Sequence, residues 1–201
     1  MTTRPSERGQ AGITMVEMVV VVALLGLVLT MAMQGVLSYQ RATASADTRQ
    51  DNLDQARTVM AVLTKDLRTA TAFTAMTATD VTFTGLLNTA ATAPANQLRL
   101  WVDSNGVLRE AVTPPDNPNA SPLTYTGSPT TRIVGRGLVA TSGLLSYRDS
   151  ADAVTTSLTA VTSVVITVSV DLPSRSGADV PPTVLSSRVF LPNVAAAASE
   201  E

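Results

Sequence analysis

The chain has 201 residues, a formal net charge of −2 and 45% hydrophobic residues, and only 3% of its residues are aromatic. It contains no cysteine and no histidine, which excludes disulfides and thiolate metal sites and removes the commonest general base and metal ligand. The balanced charge gives no support for nucleic-acid binding. We therefore expect no catalytic residue, no metal site and no cofactor, and a structural role rather than an enzyme.

The first predicted element is a long apolar run close to the N-terminus. Residues 13–33 contain one charged residue, Glu17, and follow a basic segment with Arg4 and Arg8. As a helix, the run would span roughly 30 Å, about the thickness of the hydrocarbon core of a bilayer. The positive-inside rule leaves the N-terminus in the cytoplasm and sends the rest of the chain outward. The sequence predicts a single-pass helix in the cytoplasmic membrane over residues 13–37.

Three interpretations of this run compete, and Glu17 separates them. A plain membrane anchor fits the hydropathy, and so does a secretory signal peptide cleaved after Ala44-Ser45-Ala46. The run is longer than the apolar part of a signal peptide, which has roughly 7–15 residues. Neither interpretation explains a buried carboxylate, which costs on the order of 2.5–3.5 kcal/mol at the centre of a membrane helix.

The third interpretation rests on the stretch Gly12-Ile13-Thr14-Met15-Val16-Glu17, followed by the apolar helix. This stretch closely resembles the processing site of type IV prepilins, with isoleucine where phenylalanine is usual. The resemblance implies that a prepilin peptidase cleaves between Gly12 and Ile13, removes the leader 1–12 and N-methylates Ile13. It also implies that Glu17 pairs with the N-terminal amine of a neighbouring subunit. Such opposite charges attract by roughly 4 kcal/mol at 4 Å and an effective dielectric of 20, which offsets the burial of the carboxylate.

The second part of the long helix is predicted to cover residues 38–78 and to be amphipathic. One apolar stripe recurs every three or four residues, at Leu53, Ala56, Met60, Leu63, Leu67 and Ala70. The other faces are predicted to be solvated, and they carry Asp51, Asp54, Arg57, Thr64, Asp66 and Arg68. Gly26 and Gly35 are the expected bend points, because each glycine weakens a helix interior by about 1 kcal/mol. The pattern LTKDLR over 63–68 resembles the PilW/PulJ-like subgroup of minor pilins and pseudopilins.

Residues 79–201 are predicted to form a β-rich globular head. The segment QLRLWVD (97–103) alternates and should pair with 107–112 across the turn Ser104-Asn105-Gly106. A second strand pair is predicted between 163–171 and 184–191, a proline-rich surface loop over 113–130 and a frayed tail over 195–201. Trp101 should be a core or half-buried strand residue. A long helix followed by an antiparallel sheet is an α+β arrangement, and it matches the pilin-like fold that the resemblance implies.

The resemblance implies a minor pilin or pseudopilin, built with other pilins by an inner-membrane assembly platform. The product would be a type IV pilus or a type II secretion-like pseudopilus, at the cell surface or in the periplasm. Two alternatives stay open. The head could be a filament-displayed binding module for DNA uptake (competence) or adhesion, although the balanced charge argues against DNA. The chain could also be a plain single-pass anchored extracytoplasmic domain.

Overall fold

The computed structural model describes residues 14–86, 94–139, 143–174, 177 and 179–197. The chain divides into two compact units between Ala44 and Ser45. Helix α1 begins in the first unit, and the second unit contains the rest of α1, all of the described strands and a short final helix. The elements in chain order are α1 (Met15–Arg68), β1 (Ala70–Met76), β2 (Asp80–Gly85), β3 (Asn96–Val102), β4 (Leu108–Thr113), β5 (Thr130–Gly135), β6 (Leu145–Arg148), β7 (Ser163–Val170), β8 (Thr183–Phe190) and α2 (Pro192–Ala197). The predicted α+β class is confirmed.

The described strands form two antiparallel sheets. The five-stranded sheet has the order β1-β2-β3-β4-β5, and the three-stranded sheet has the order β6-β7-β8. The predicted hairpin is β3-β4, closed by a turn in which Gly106 takes a positive φ of 67°. The second predicted pair is β7-β8, which pairs without a register shift from Ser163 opposite Phe190 to Val170 opposite Thr183. Both predicted strand pairs are confirmed, and the head contains two sheets where one was expected.

The predicted end of the long helix is wrong. Helix α1 ends at Arg68 rather than near 78, and β1 follows from Ala70. The backbone N–H and the hydroxyl of Thr69 both donate to the carbonyl oxygen of Asp66, at 3.0 and 2.7 Å, and close the last turn. Beyond it, the hydroxyl of Thr71 donates to the Thr84 carbonyl oxygen of β2. Threonine favours strands over helices, so this threonine-rich segment gains more from pairing with β2 than from extending the helix.

The hydrophobic core of the second unit joins one face of α1 to both sheets. Leu63 and Leu67 of α1 are fully buried, with core residues from the five-stranded and the three-stranded sheet, among them Phe83, Leu98, Val164 and Ile166. Burying one such side chain contributes about 1.5–3 kcal/mol. The predicted stripe is confirmed at Ala56, Leu63 and Leu67. Leu53 and Met60 are only half-buried, and Val59 is fully buried in their place.

The proline-rich loop and the C-terminal tail have different outcomes. The loop predicted over 113–130 contains no helix or strand between 114 and 129, whereas its two end residues, Thr113 and Thr130, belong to β4 and β5. Tyr125 anchors the loop by donating its hydroxyl to the Ala95 carbonyl oxygen at 3.0 Å. The prediction of a frayed tail is wrong for 195–197, which belong to α2. Pro192 is suited to the first position of a helix, and Val194 is buried. Residues 198–201 lie outside the described residues.

Candidate functional site

The N-terminus of α1 carries its own cap. Thr14 precedes the helix, and its hydroxyl oxygen accepts the backbone N–H of Glu17 at 3.3 Å. A threonine followed three residues later by a glutamate is the sequence pattern of a capping box, and a carboxylate in the first turn is favoured by the helix dipole. Gly12 and Ile13, the predicted cleavage position, lie outside the described residues.

The first part of α1, residues 15–44, exposes an apolar surface on every side. Its large hydrophobic side chains are exposed to between 43% at Leu37 and 87% at Met15. Glu17 is the only charged residue between Thr14 and Gln40. Among the described helices, α1 alone is long and apolar enough to cross a membrane, and none of its most apolar stretch is buried within the chain. A helix that is apolar all round requires a lipid or protein environment that the chain itself does not supply.

The sequence matches one family model, the prokaryotic N-terminal methylation motif, over residues 8–33. The match supports a type IV pilin-like protein. No curated protein and no solved structure gives a significant match to the chain. The matched residues contain the predicted cleavage position, Glu17 and the whole apolar run over 13–33. The motif implies processing by a prepilin peptidase in a membrane and assembly with other pilins, and it points to a structural, non-enzymatic protein.

Gly26 and Gly35 lie within the regular part of α1. Helix α1 runs through Gly26 and Gly35, and a Cβ atom built on either glycine would meet no other atom within 4 Å. The hydroxyl of Thr30 donates to the carbonyl oxygen of Gly26 at 2.8 Å, which keeps this polar group paired inside the apolar surface. The role of the two glycines as bend points stays a prediction.

In the second unit, a charged cluster joins α1 to the five-stranded sheet. Asp66 is 2% exposed and Glu110 of β4 is 3% exposed. Arg132 of β5 donates its Nε and Nη2 to Glu110 Oε2 at 2.8 and 2.5 Å. The prediction that Asp66 faces solvent is therefore wrong. The helical pattern predicts that a charged residue faces solvent, because the pattern contains no information about other elements. Here β4 covers Asp66.

Two further side chains of the head, Trp101 and Asp149, have structural partners. Trp101 is half-buried, as predicted, and the Arg99 guanidinium lies over its ring at 4.9 Å. Asp149 accepts the backbone N–H groups of Ala151 and Ala153, both at 2.9 Å, and so shapes its own turn. Within the ranges that the structure describes, no three His, Cys, Asp or Glu side chains meet as they would in a metal site.

Proposed function

We propose that the chain is a minor pilin or pseudopilin, made as a prepilin and assembled into a type IV pilus or a type II secretion-like pseudopilus. In this proposal the peptidase cleaves between Gly12 and Ile13 and methylates the Ile13 amine. The first part of α1 then leaves the bilayer for the filament core, and the head faces outward. The partners are other pilins and an inner-membrane assembly platform. The LTKDLR stretch over 63–68 favours the PilW/PulJ-like subgroup.

The observation that carries this proposal is the coincidence of two features at the same residues. The methylation motif spans residues 8–33, and the helix within that span exposes apolar side chains on every side. A signal peptide would not need the glutamate, and a plain anchor would be more stable in lipid without it. Assembly from a bilayer into a filament requires both an apolar helix and a polar group that fixes its position.

Glu17 suits that positioning role. Its backbone N–H donates a hydrogen bond to the Thr14 hydroxyl oxygen. Its side chain is exposed at the apolar end of the helix. Cleavage would create a positive amine at Ile13, four residues earlier, close enough for partial neutralisation within one helix. The amine of a neighbouring subunit would complete the pair. Because an unpaired carboxylate is costly in an apolar environment, a subunit out of register would be disfavoured.

The test of processing is the mass of the native protein extracted from membranes. We expect a chain that begins at Ile13 and carries one methyl group on its amine. Replacing Gly12 with a bulkier residue, as in Gly12→Val, should leave the uncleaved precursor, whereas the control Gly9→Val in the same leader should be cleaved normally. A native chain that begins at Met1 or at Asp47 would contradict the proposal in favour of a plain anchor or a secretory signal peptide.

A further inference from the structure

The contact between the last turns of α1 and β4 buries two acidic side chains, whereas the arginine that pairs with one of them remains largely exposed. Asp66 and Glu110 are each almost fully buried, and their two carboxyl groups lie within reach of a hydrogen bond to each other. Arg132 pairs with Glu110 from the solvent side, since 60% of its side chain is exposed. The second oxygen of Asp66, Oδ2, is buried without a hydrogen-bond partner. Two carboxyl groups therefore share one guanidinium at an apolar interface.

A hydrogen bond between these two carboxyl groups requires a proton. Ionised carboxylates only accept hydrogen bonds, so a hydrogen bond between two carboxyl groups exists only when one of them is protonated. If both were ionised, two buried negative charges would face the single guanidinium of Arg132, and no hydrogen bond could form between the two carboxyl groups. The protonated pair, by contrast, is neutralised by Arg132 alone.

We propose that Asp66, Glu110 and Arg132 form a proton-dependent clamp, which holds the C-terminal turns of α1 on the five-stranded sheet and loosens when the shared proton leaves. Asp66 is the group that titrates. Among the described residues, the charged groups that act on it are Glu110 from β4, Arg132 from β5 and Lys65 from α1 itself. The clamp is independent of the proposed function, because it concerns only contacts within the head.

The pH range of the clamp follows from the environment of Asp66. Burial, and then the charge of Glu110, raise the pKa of Asp66 to about 6, against the opposing charges of Arg132 and Lys65. In the unfolded chain the same carboxyl titrates near 3.8. The folded head therefore binds more protons than the unfolded chain between these two values. The contribution of Asp66 to the free energy of unfolding is therefore fully present below about pH 4 and is lost as the pH rises through about 6.

The experiment is the unfolding of the full chain in detergent micelles between pH 4 and 7.5, followed by the fluorescence of Trp101, the only tryptophan. Asp66→Asn keeps a side-chain donor toward Glu110 and removes the titration. Asp51→Asn is the control, because Asp51 is exposed on the same helix. Carboxyl groups outside this cluster contribute equally to all three chains, including Asp103, whose pKa is lowered mainly by the backbone N–H of Val107.

We expect the unfolding equilibrium constant of the wild type to rise about a hundredfold more over this range than that of Asp66→Asn, which corresponds to two pKa units. Asp51→Asn should follow the wild type. Parallel pH dependences of the wild type and Asp66→Asn would overturn the clamp. If Asp66→Asn does not fold, the carboxyl carbon of Asp66 can be titrated by NMR in the wild type. A midpoint near 6 supports the clamp, and a midpoint at or below 4 overturns it.

Discussion

The two parts of helix α1 have the same secondary structure and opposite surroundings. Between Met15 and Ala44, the large apolar side chains are exposed on every side, whereas between Ser45 and Arg68 one face is fully buried at Ala56, Val59 and Leu63. The difference follows from composition, because the second part places charged residues on its remaining faces, whereas the first part has only Glu17 near its start and Arg41 near its end. The second part is therefore stabilised by its own head, and the first part needs lipid or other subunits.

Removing the first part gives the largest expected effect. A shortened chain that begins at Arg41 should be soluble without detergent and should keep both helix and strand signals in circular dichroism. The full chain should require detergent. The reason is that the shortened chain retains the buried face of α1 and loses the exposed apolar surface. Aggregation of the shortened chain, or a random-coil spectrum, would show that the second part of α1 is not stabilised by packing on the sheets.

Matched leucine substitutions sharpen the comparison. Leu63→Ala should lower the free energy of unfolding of the head by about 2–5 kcal/mol, because Leu63 is fully buried and its loss leaves a cavity. Leu27→Ala removes the same atoms from a side chain that is 53% exposed, and the unfolding of the head should not change. Both values come from denaturant unfolding of the full chain in detergent. Equal losses in the two variants would mean that Leu27 also packs on the head.

Matched glycine substitutions give a smaller effect. A Cβ atom on Gly135 would overlap Val59 Cγ2 and lie 2.7 Å from Gln55 Nε2, both on α1, so Gly135→Ala should cost about 1–3 kcal/mol. Gly26→Ala meets no atom within 4 Å and should leave the thermal midpoint of the head unchanged, while it favours the helix by up to about 1 kcal/mol. A lowered midpoint for Gly26→Ala, as large as that for Gly135→Ala, would contradict the difference in packing.

Much of the local structure could be predicted from the sequence. The apolar run predicted the first part of α1, because its length and hydropathy alone indicate a helix that can span a membrane. The alternation of 97–103 and the turn Ser104-Asn105-Gly106 predicted the hairpin β3-β4, since both signals lie within a short segment. The β-branched run from Ser163 predicted β7 for the same reason. Each of these patterns is complete without knowledge of distant residues.

The remaining features depend on partners that are distant in sequence. Ala70 fits the helical stripe as well as it fits a strand, and pairing of β1 with β2 decides in favour of the strand. Asp66 and Asn52 are polar residues on an amphipathic helix, yet both are buried. Asp66 contacts Glu110, and Asn52 Oδ1 accepts the backbone N–H of Leu172 at 3.0 Å. The predicted processing site rests on resemblance to a family, because packing within the chain carries no information about cleavage.

The most direct test of the central claim, that the first part of α1 assembles through Glu17, is the recovery of the protein in sheared filaments. Glu17→Leu should still enter the membrane and be cleaved after Gly12, because an apolar side chain favours the bilayer. Its cleaved form should nevertheless be depleted from filaments relative to the wild type. The control Gln34→Leu, at an exposed polar position of the same part of α1, should be recovered normally. Equal recovery of Glu17→Leu and the wild type would contradict the role of Glu17 in assembly.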